Sequence, residues 1–448
     1  MRRFYLLFVL AVMFATSVSA QTPELETSEK TKFSIKVQPF KGSYLDQNSH
    51  FEKFRPFAPS GVNLGFQLPS DQQRPWQQYL NNATLGFGLS FIDFGHQMVG
   101  YSVTAYPYIL IPAVRLKHFE MELKFASGLG YVTEHWYTGN VDPNDYEYYG
   151  DDVNTLFGCY INAYLSAGAA INIPITRNFA LNGEFGYLHM SNGRTNMPNM
   201  GINVTYGAVG VIATFNEKVK KEPIQFPDLP YGWTLNFTGA AGIHQAWMYH
   251  PKYLISSFHT GAVYSVNNWY GLGLGMDVFY NDAVDSNTGR NLYCHGKFVP
   301  ADGGEDCLSC DGEYTLSDKI RAGVSINNEF RMGVVTAIVD WGVYFRNPSR
   351  NLYYDYHLES QADGGITGRK LFYKSPGAGS EEMFHYIRFG MKYRIWDNLY
   401  FQASAKTHLH ICEFVEFGLN YQIPFLKKGN RSEGKSIIFH NSKDWWKK

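Results

Sequence analysis

Hydrophobic and polar positions alternate with period two along much of the chain. Within 84–93, Leu85, Phe87, Leu89 and Phe91 face one way, and Thr84, Gly86, Gly88 and Ser90 the other. Residues 271–280 set Leu272, Leu274, Met276, Val278 and Tyr280 against Gly271, Gly273, Gly275 and Asp277. Leu399, Phe401, Ala403 and Ala405 oppose Tyr400, Gln402, Ser404 and Lys406. In the last such segment Val415, Phe417, Leu419, Tyr421, Ile423 and Phe425 oppose Glu416, Gly418, Asn420 and Gln422. Successive side chains of a strand point to opposite faces, so these segments are predicted as β-strands with one apolar face. About eight of them precede residue 217 and about eight follow residue 231.

Alternation is equally a property of soluble sandwiches and does not choose the solvent. The segments here are about ten residues or longer, and the set opposite the apolar face is small and polar rather than branched aliphatic. Both features fit a transmembrane barrel, apolar toward lipid and polar toward the lumen. Backbone groups in lipid must all be paired, which closed barrels achieve. Composition agrees. Aromatic residues make up 17% and charged residues only 18%, with 43 glycines. Lys+Arg and Asp+Glu nearly cancel at 39 and 40, so the footprint of a nucleic-acid binder is missing. At 45% hydrophobic the chain is too apolar to be mainly disordered.

The expected fold is therefore all-β, an antiparallel outer-membrane β-barrel. Tight turns such as Asp397-Asn398 alternate with long polar loops at 132–153, 281–318 and 347–383. The charged, Pro-rich stretch from Glu217 to Pro230 divides the chain. As a loop it lies inside one barrel of about sixteen strands, the arrangement favoured because tandem barrels in one chain are unusual. As a linker it separates two eight-stranded units. The expected organisation is 1–20 signal peptide, 21–217 first barrel region, 218–230 linker or loop, 231–425 second barrel region, and 426–448 a tail carrying Trp445 and Trp446.

The signal peptide rests on Arg2 and Arg3, the apolar run from Phe4 to Ala15, and the small-residue site Val18-Ser19-Ala20. Cleavage after Ala20 leaves Gln21, not a cysteine, so a lipoprotein anchor is not expected. Export to the outer membrane of a Gram-negative bacterium follows. Five cysteines are sparse and odd in number. Cys294, Cys307 and Cys310 share one polar stretch; a metal or redox site with His295 is one reading, a loop disulfide with one cysteine spare the favoured one. A fourth ligand at zinc-like spacing is missing, and no metal is expected.

The most informative chemistry lies between Gly186 and Asn203. His189 and Ser191 are two apart on a predicted strand and share a face with Phe179, Leu181, Phe185 and Tyr187. The pair thus falls on the outward, lipid-facing side near the strand end, where a lipid is the natural substrate. A nucleophilic Ser needs an adjacent base, and a third group must orient the imidazole. A turn through Pro198 and Gly201 brings Asn203 back alongside His189. Asn192 and the amides around Gly193 are candidates for an oxyanion site. The alternative is a pair of polar girdle residues at the membrane interface.

His189-Met-Ser191-Asn192-Gly193, followed by Asn196, Pro198, Asn199, Gly201 and a strand opening at Ile202-Asn203, resembles the signature of outer-membrane lipid A 3-O-deacylases of the PagL type. The resemblance covers roughly 33–217 and is specific around 186–204. It implies an eight-stranded barrel whose Ser-His-acid triad on the outer surface hydrolyses an ester-linked acyl chain of lipid A. Ser191 would be the nucleophile and His189 the general base. Asn203 would stand where the family has a catalytic Glu. Asn can orient an imidazole but cannot supply the negative charge; Glu413, read as facing outward on the last strand, is the other carboxylate considered. The implied partners are lipid A, lipopolysaccharide and outer-membrane lipids, and no cofactor is required.

Other features are weaker. His244 and His250 flank Trp247 and Tyr249 and read as an aromatic girdle. The acidic run Asp142, Asp145, Glu147, Asp151 and Asp152 reads as a solvated loop or a cation site near lipid phosphates. Lys406, His408, Glu413 and Glu416 read as structural. The rival to an esterase is a non-catalytic barrel that passes or binds solutes and keeps a degenerate motif, sixteen strands being wide enough for a pore.

Overall fold

In the computed structural model, residues 27–45, 57–70, 76–77, 80–116, 118–136, 154–220, 231–245, 252–267, 269–282, 315–317, 319–348, 384–408 and 411–427 are described. The first eight strands are β1 (Thr27–Tyr44), β2 (Ser60–Leu68), β3 (Thr84–Asp93), β4 (Tyr101–Leu116), β5 (Phe119–Val132), β6 (Ile161–Pro174), β7 (Phe179–Ser191) and β8 (Ile202–Lys220). The second eight are β9 (Tyr231–Gln245), β10 (Lys252–Ser265), β11 (Tyr270–Asn281), β12 (Ile320–Met332), β13 (Val335–Arg346), β14 (His385–Arg394), β15 (Leu399–His408) and β16 (Ile411–Lys427). Each set closes on itself, β1 pairing with β8 and β9 with β16, all antiparallel. The chain is thus two closed eight-stranded barrels, not the single wider one favoured above. Local alternation is the same in either arrangement; only which strand β8 pairs with distinguishes them. Closure leaves no unpaired edge, as a barrel in lipid requires.

The apolar faces point outward as expected. Phe87 and Phe91 on β3, Leu272, Leu274, Met276 and Val278 on β11, and Phe417, Leu419 and Tyr421 on β16 are all exposed. At one end of both barrels most neighbouring strands are joined by short turns such as 175–178 and 333–334, and β1–β2, β5–β6, β11–β12 and β13–β14 are joined at the other. The acidic run at 142–152, Cys294, Cys307, Cys310, His250, Trp247, Tyr249, the segment 221–230 and both chain ends lie outside the described residues.

The inward glycines have a steric reason. A Cβ on Gly86 would sit 2.2 Å from the Tyr108 ring, and one on Gly186 2.6 Å from the Tyr206 ring. Glycine faces the lumen so that a tyrosine from the neighbouring strand can lie across it. Tyr106 and Tyr164 stack there at 4.7 Å. Ion pairs fill the rest. In the first barrel Glu184 takes Lys36 at 2.8 Å and Lys124 at 2.7 Å. In the second, Arg388 joins Asp277 at 2.5 Å and Glu416 at 3.0 Å, while Glu329 holds Lys392 and Arg331. Eight strands enclose only enough room for side chains. The wide lumen that the pore reading needed does not form.

The barrels meet along a seam. At the short-turn end Trp76, Leu80, Ala83 and Ile109 of the first pack with Trp269 of the second, flanked by Tyr270, Phe330 and Met332. At the long-loop end the seam reaches the candidate site.

Candidate active site

β7 rises toward the long-loop end, turns through 192–201, and returns as β8. The hairpin register places Asn203 directly opposite His189. On β7, Leu188 and Met190 point into the barrel and are buried, whereas Phe185 and Tyr187 are exposed on the outer wall. His189 shares their side of the strand. Its Nε2 lies 3.0 Å from Ser191 Oγ, and its Nδ1 lies 2.7 Å from Asn203 Oδ1. The Tyr187 hydroxyl donates to the same Asn203 oxygen. Two donors aimed at Oδ1 put the proton of His189 on Nδ1, leaving the Nε2 lone pair for the Ser191 hydroxyl. The three residues singled out from sequence are therefore in one hydrogen-bonded line. Tyr187 was missed there; its signal was its place two before His189, hence on the same face.

Ser191 is only 5% exposed, because the loop that follows folds back over it. Gly193 and Arg194 take positive φ, +65° and +61°, and Thr195 returns its N–H and hydroxyl to the Asn192 carbonyl at 3.4 and 3.0 Å. This is a tight turn with both central residues left-handed, which the glycine accommodates without strain. Asn192 gives its backbone N–H to Asn199 Oδ1 at 2.9 Å and its side-chain amide to the Asn196 carbonyl at 2.8 Å. It is a strut of the loop, and those donors are engaged within it. The Gly193 amide has no partner among the described residues, which makes it the better oxyanion candidate. Asn196 in turn donates to the Gly158 carbonyl at 2.5 Å, and Gly201 and Met200 to the Leu156 and Thr155 carbonyls.

Two expectations need correction. Glu413 does not face outward: it is fully buried inside the second barrel, ion-paired to Arg321 and Lys406. The β15–β16 register slips between Lys406 and Thr407, so that Lys406 faces Phe414 and Thr407 faces Cys412. The extra residue is Glu413 itself, and this bulge reverses its side. It is not an acid for His189. His244 likewise points inward, fully buried, with Nδ1 2.8 Å from the Glu413 carbonyl; it is not a girdle residue. Among the described residues no carboxylate is bonded to His189.

Two family profiles match the chain. One, described as lipid A 3-O-deacylase (PagL), covers 60–211; the other, described as acyloxyacyl hydrolase, C-terminal domain, covers 233–362. No curated protein matches. Among solved structures, the outer membrane enzyme PagL aligns at 15% identity and a TM-score of 0.25, covering 39% of this chain and 97% of that one. A mutant of Rh. blastica porin aligns at 11% and 0.16, covering 87% and 100%. CdiB from Acinetobacter baumannii aligns at 10% and 0.17, covering 88% and 60%. The PagL profile contains His189, Ser191 and Asn203, all on the first barrel, and the second profile begins within β9. Both barrels are thus similar to the PagL-type family, the first to its lipid A 3-O-deacylase model and the second to its C-terminal-domain model.

Proposed function

We propose that the chain is an outer-membrane esterase that removes an ester-linked acyl chain from lipid A or a related glycolipid, with Ser191 as nucleophile. One observation carries the reading: the Asn203–His189–Ser191 line on the lipid-facing wall of the first barrel, at distances suited to proton transfer. His189 Nε2 takes the Ser191 proton as Oγ attacks the acyl carbonyl. The resulting oxyanion is met by the Gly193 amide. His189 then returns the proton to the departing sugar oxygen, leaving the acyl chain esterified to Ser191. Water, deprotonated by the same imidazole, attacks that ester; a free fatty acid leaves and Ser191 regains its proton. The chemistry calls for no cofactor.

Asn203 supplies orientation without charge. Replacing a triad carboxylate by its amide is damaging elsewhere chiefly because the imidazole settles in the wrong tautomer. Here Tyr187 holds the oxygen, not the amide nitrogen, toward His189. The tautomer is kept, and only the stabilisation of imidazolium is lost.

The test is expression of the wild type and Ser191→Ala in a host without lipid A deacylases, with lipid A read by mass spectrometry. The wild type is expected to remove one acyl chain and the variant none. Unchanged lipid A beside a folded wild type overturns the esterase; removal that persists in Ser191→Ala overturns the nucleophile.

A further inference from the structure

The loop after Ser191 is held from two sides. On one side stands the first barrel's own 155–158 segment. On the other stands the second barrel, through the last residue of β9. The Gln245 backbone N–H donates to the Arg194 carbonyl at 2.9 Å, and its side-chain Oε1 accepts the Met197 N–H at 2.6 Å. One residue therefore grips both arms of the turn that carries Gly193. Beside it, Val415 of β16 lies so close that a Cβ on Gly193 would come within 2.3 Å of its Cγ2. Gln245 is itself 9% exposed, so these bonds are largely shielded from water and are not loosened by exchange with it.

We propose that the second barrel is a working part of the esterase site and that Gln245 is a positioning residue. It holds the 192–197 turn so that the Gly193 amide is in place when charge develops on the acyl oxygen. Two adjacent residues with positive φ gain little rigidity from their own backbone preference, since Arg194 is disfavoured there. The turn needs external bonds to keep one geometry, and the second barrel provides two. The second barrel thereby has a part at the site although its own Ser257 and His259, two apart on β10, are turned inward and bonded to Glu416 and Asp277. The inference rests on the esterase reading above.

Gln245→Leu removes the acceptor for Met197 at similar size, and Gln245→Glu keeps it. Full-length protein in detergent micelles containing lipid A is assayed for kcat and KM, and amide exchange of the 192–200 region is followed by mass spectrometry. In Gln245→Leu, kcat is expected to fall about 10- to 100-fold with KM within about twofold, the signature of a lost transition-state contact. Exchange over 192–200 is expected to rise about 10-fold while β7 is unchanged. Gln245→Glu should recover most of both. Unchanged kcat with faster exchange overturns the positioning role, and unchanged exchange overturns the clamp. Equal losses in Leu and Glu variants overturn the acceptor's part in it. If the wild type proves inert toward lipid A, the esterase reading falls, and the exchange comparison alone upholds or overturns the clamp.

Discussion

His189 and Asn203 face each other across the β7–β8 ladder, their side chains joined at 2.7 Å on the lipid-facing wall. An amide thus occupies the orienting position, and the one carboxylate of β7, Glu184, is turned into the barrel and ion-paired with two lysines. The geometry is that of a triad whose third member carries no charge, and its consequences can be measured.

Restoring the charge should help. Asn203→Glu is expected to raise kcat about 10-fold, the difference between a neutral and a charge-assisted hydrogen bond to the imidazole. Asn203→Leu should lower it at least about a hundredfold by freeing the ring and its tautomer. Steady-state kinetics on purified lipid A decide both. No gain from Glu would mean that neutral orientation is all the site uses.

Tyr187 is expected to matter through Asn203. Its hydroxyl fixes which end of the amide faces His189, so Tyr187→Phe should reduce kcat about 3- to 10-fold, the worth of one hydrogen bond. The effect should vanish when Asn203 is already Leu. A Tyr187 loss that persists in that background would point to a contact with substrate instead.

Gly201→Ala tests how tightly Ser191 is seated. Gly201 has φ +64°, and a methyl there would lie 2.9 Å from Ser191 Cβ and 3.4 Å from His189 Cε1. Displacing either by a fraction of an ångström spoils the line, and kcat is expected to drop about a hundredfold with the barrel still folded. Full activity in this variant would show that Ser191 has more freedom than its burial implies.

Glu184→Gln should weaken the first barrel without touching the site. It strands two buried ammonium groups, a loss of about 3 kcal/mol by comparison with other broken buried pairs. The folded band of an outer-membrane barrel on a denaturing gel gives the readout: the temperature at which it converts should fall. An unchanged temperature would mean that the lysines find other partners.

Much of this was legible in the chain and some was not, for a common reason. Period-two alternation determined the strands and their lipid faces, and it put His189 and Ser191 on the outer wall, because side-chain direction in a strand is a local property. The hairpin brought Asn203 back to His189 through a turn of ten residues, again a short-range matter. The tertiary structure decided what depends on distant partners. β8 closes on β1 instead of running on to β9, and nothing in the alternation of either strand says which. A one-residue bulge turns Glu413 from the lipid face into an ion pair with Arg321. Gln245, an unremarkable residue at a strand end, meets the Ser191 loop only because two closed barrels lie side by side. Strand pattern is written residue by residue, whereas closure, bulges and the seam are set by which surfaces can be buried against each other.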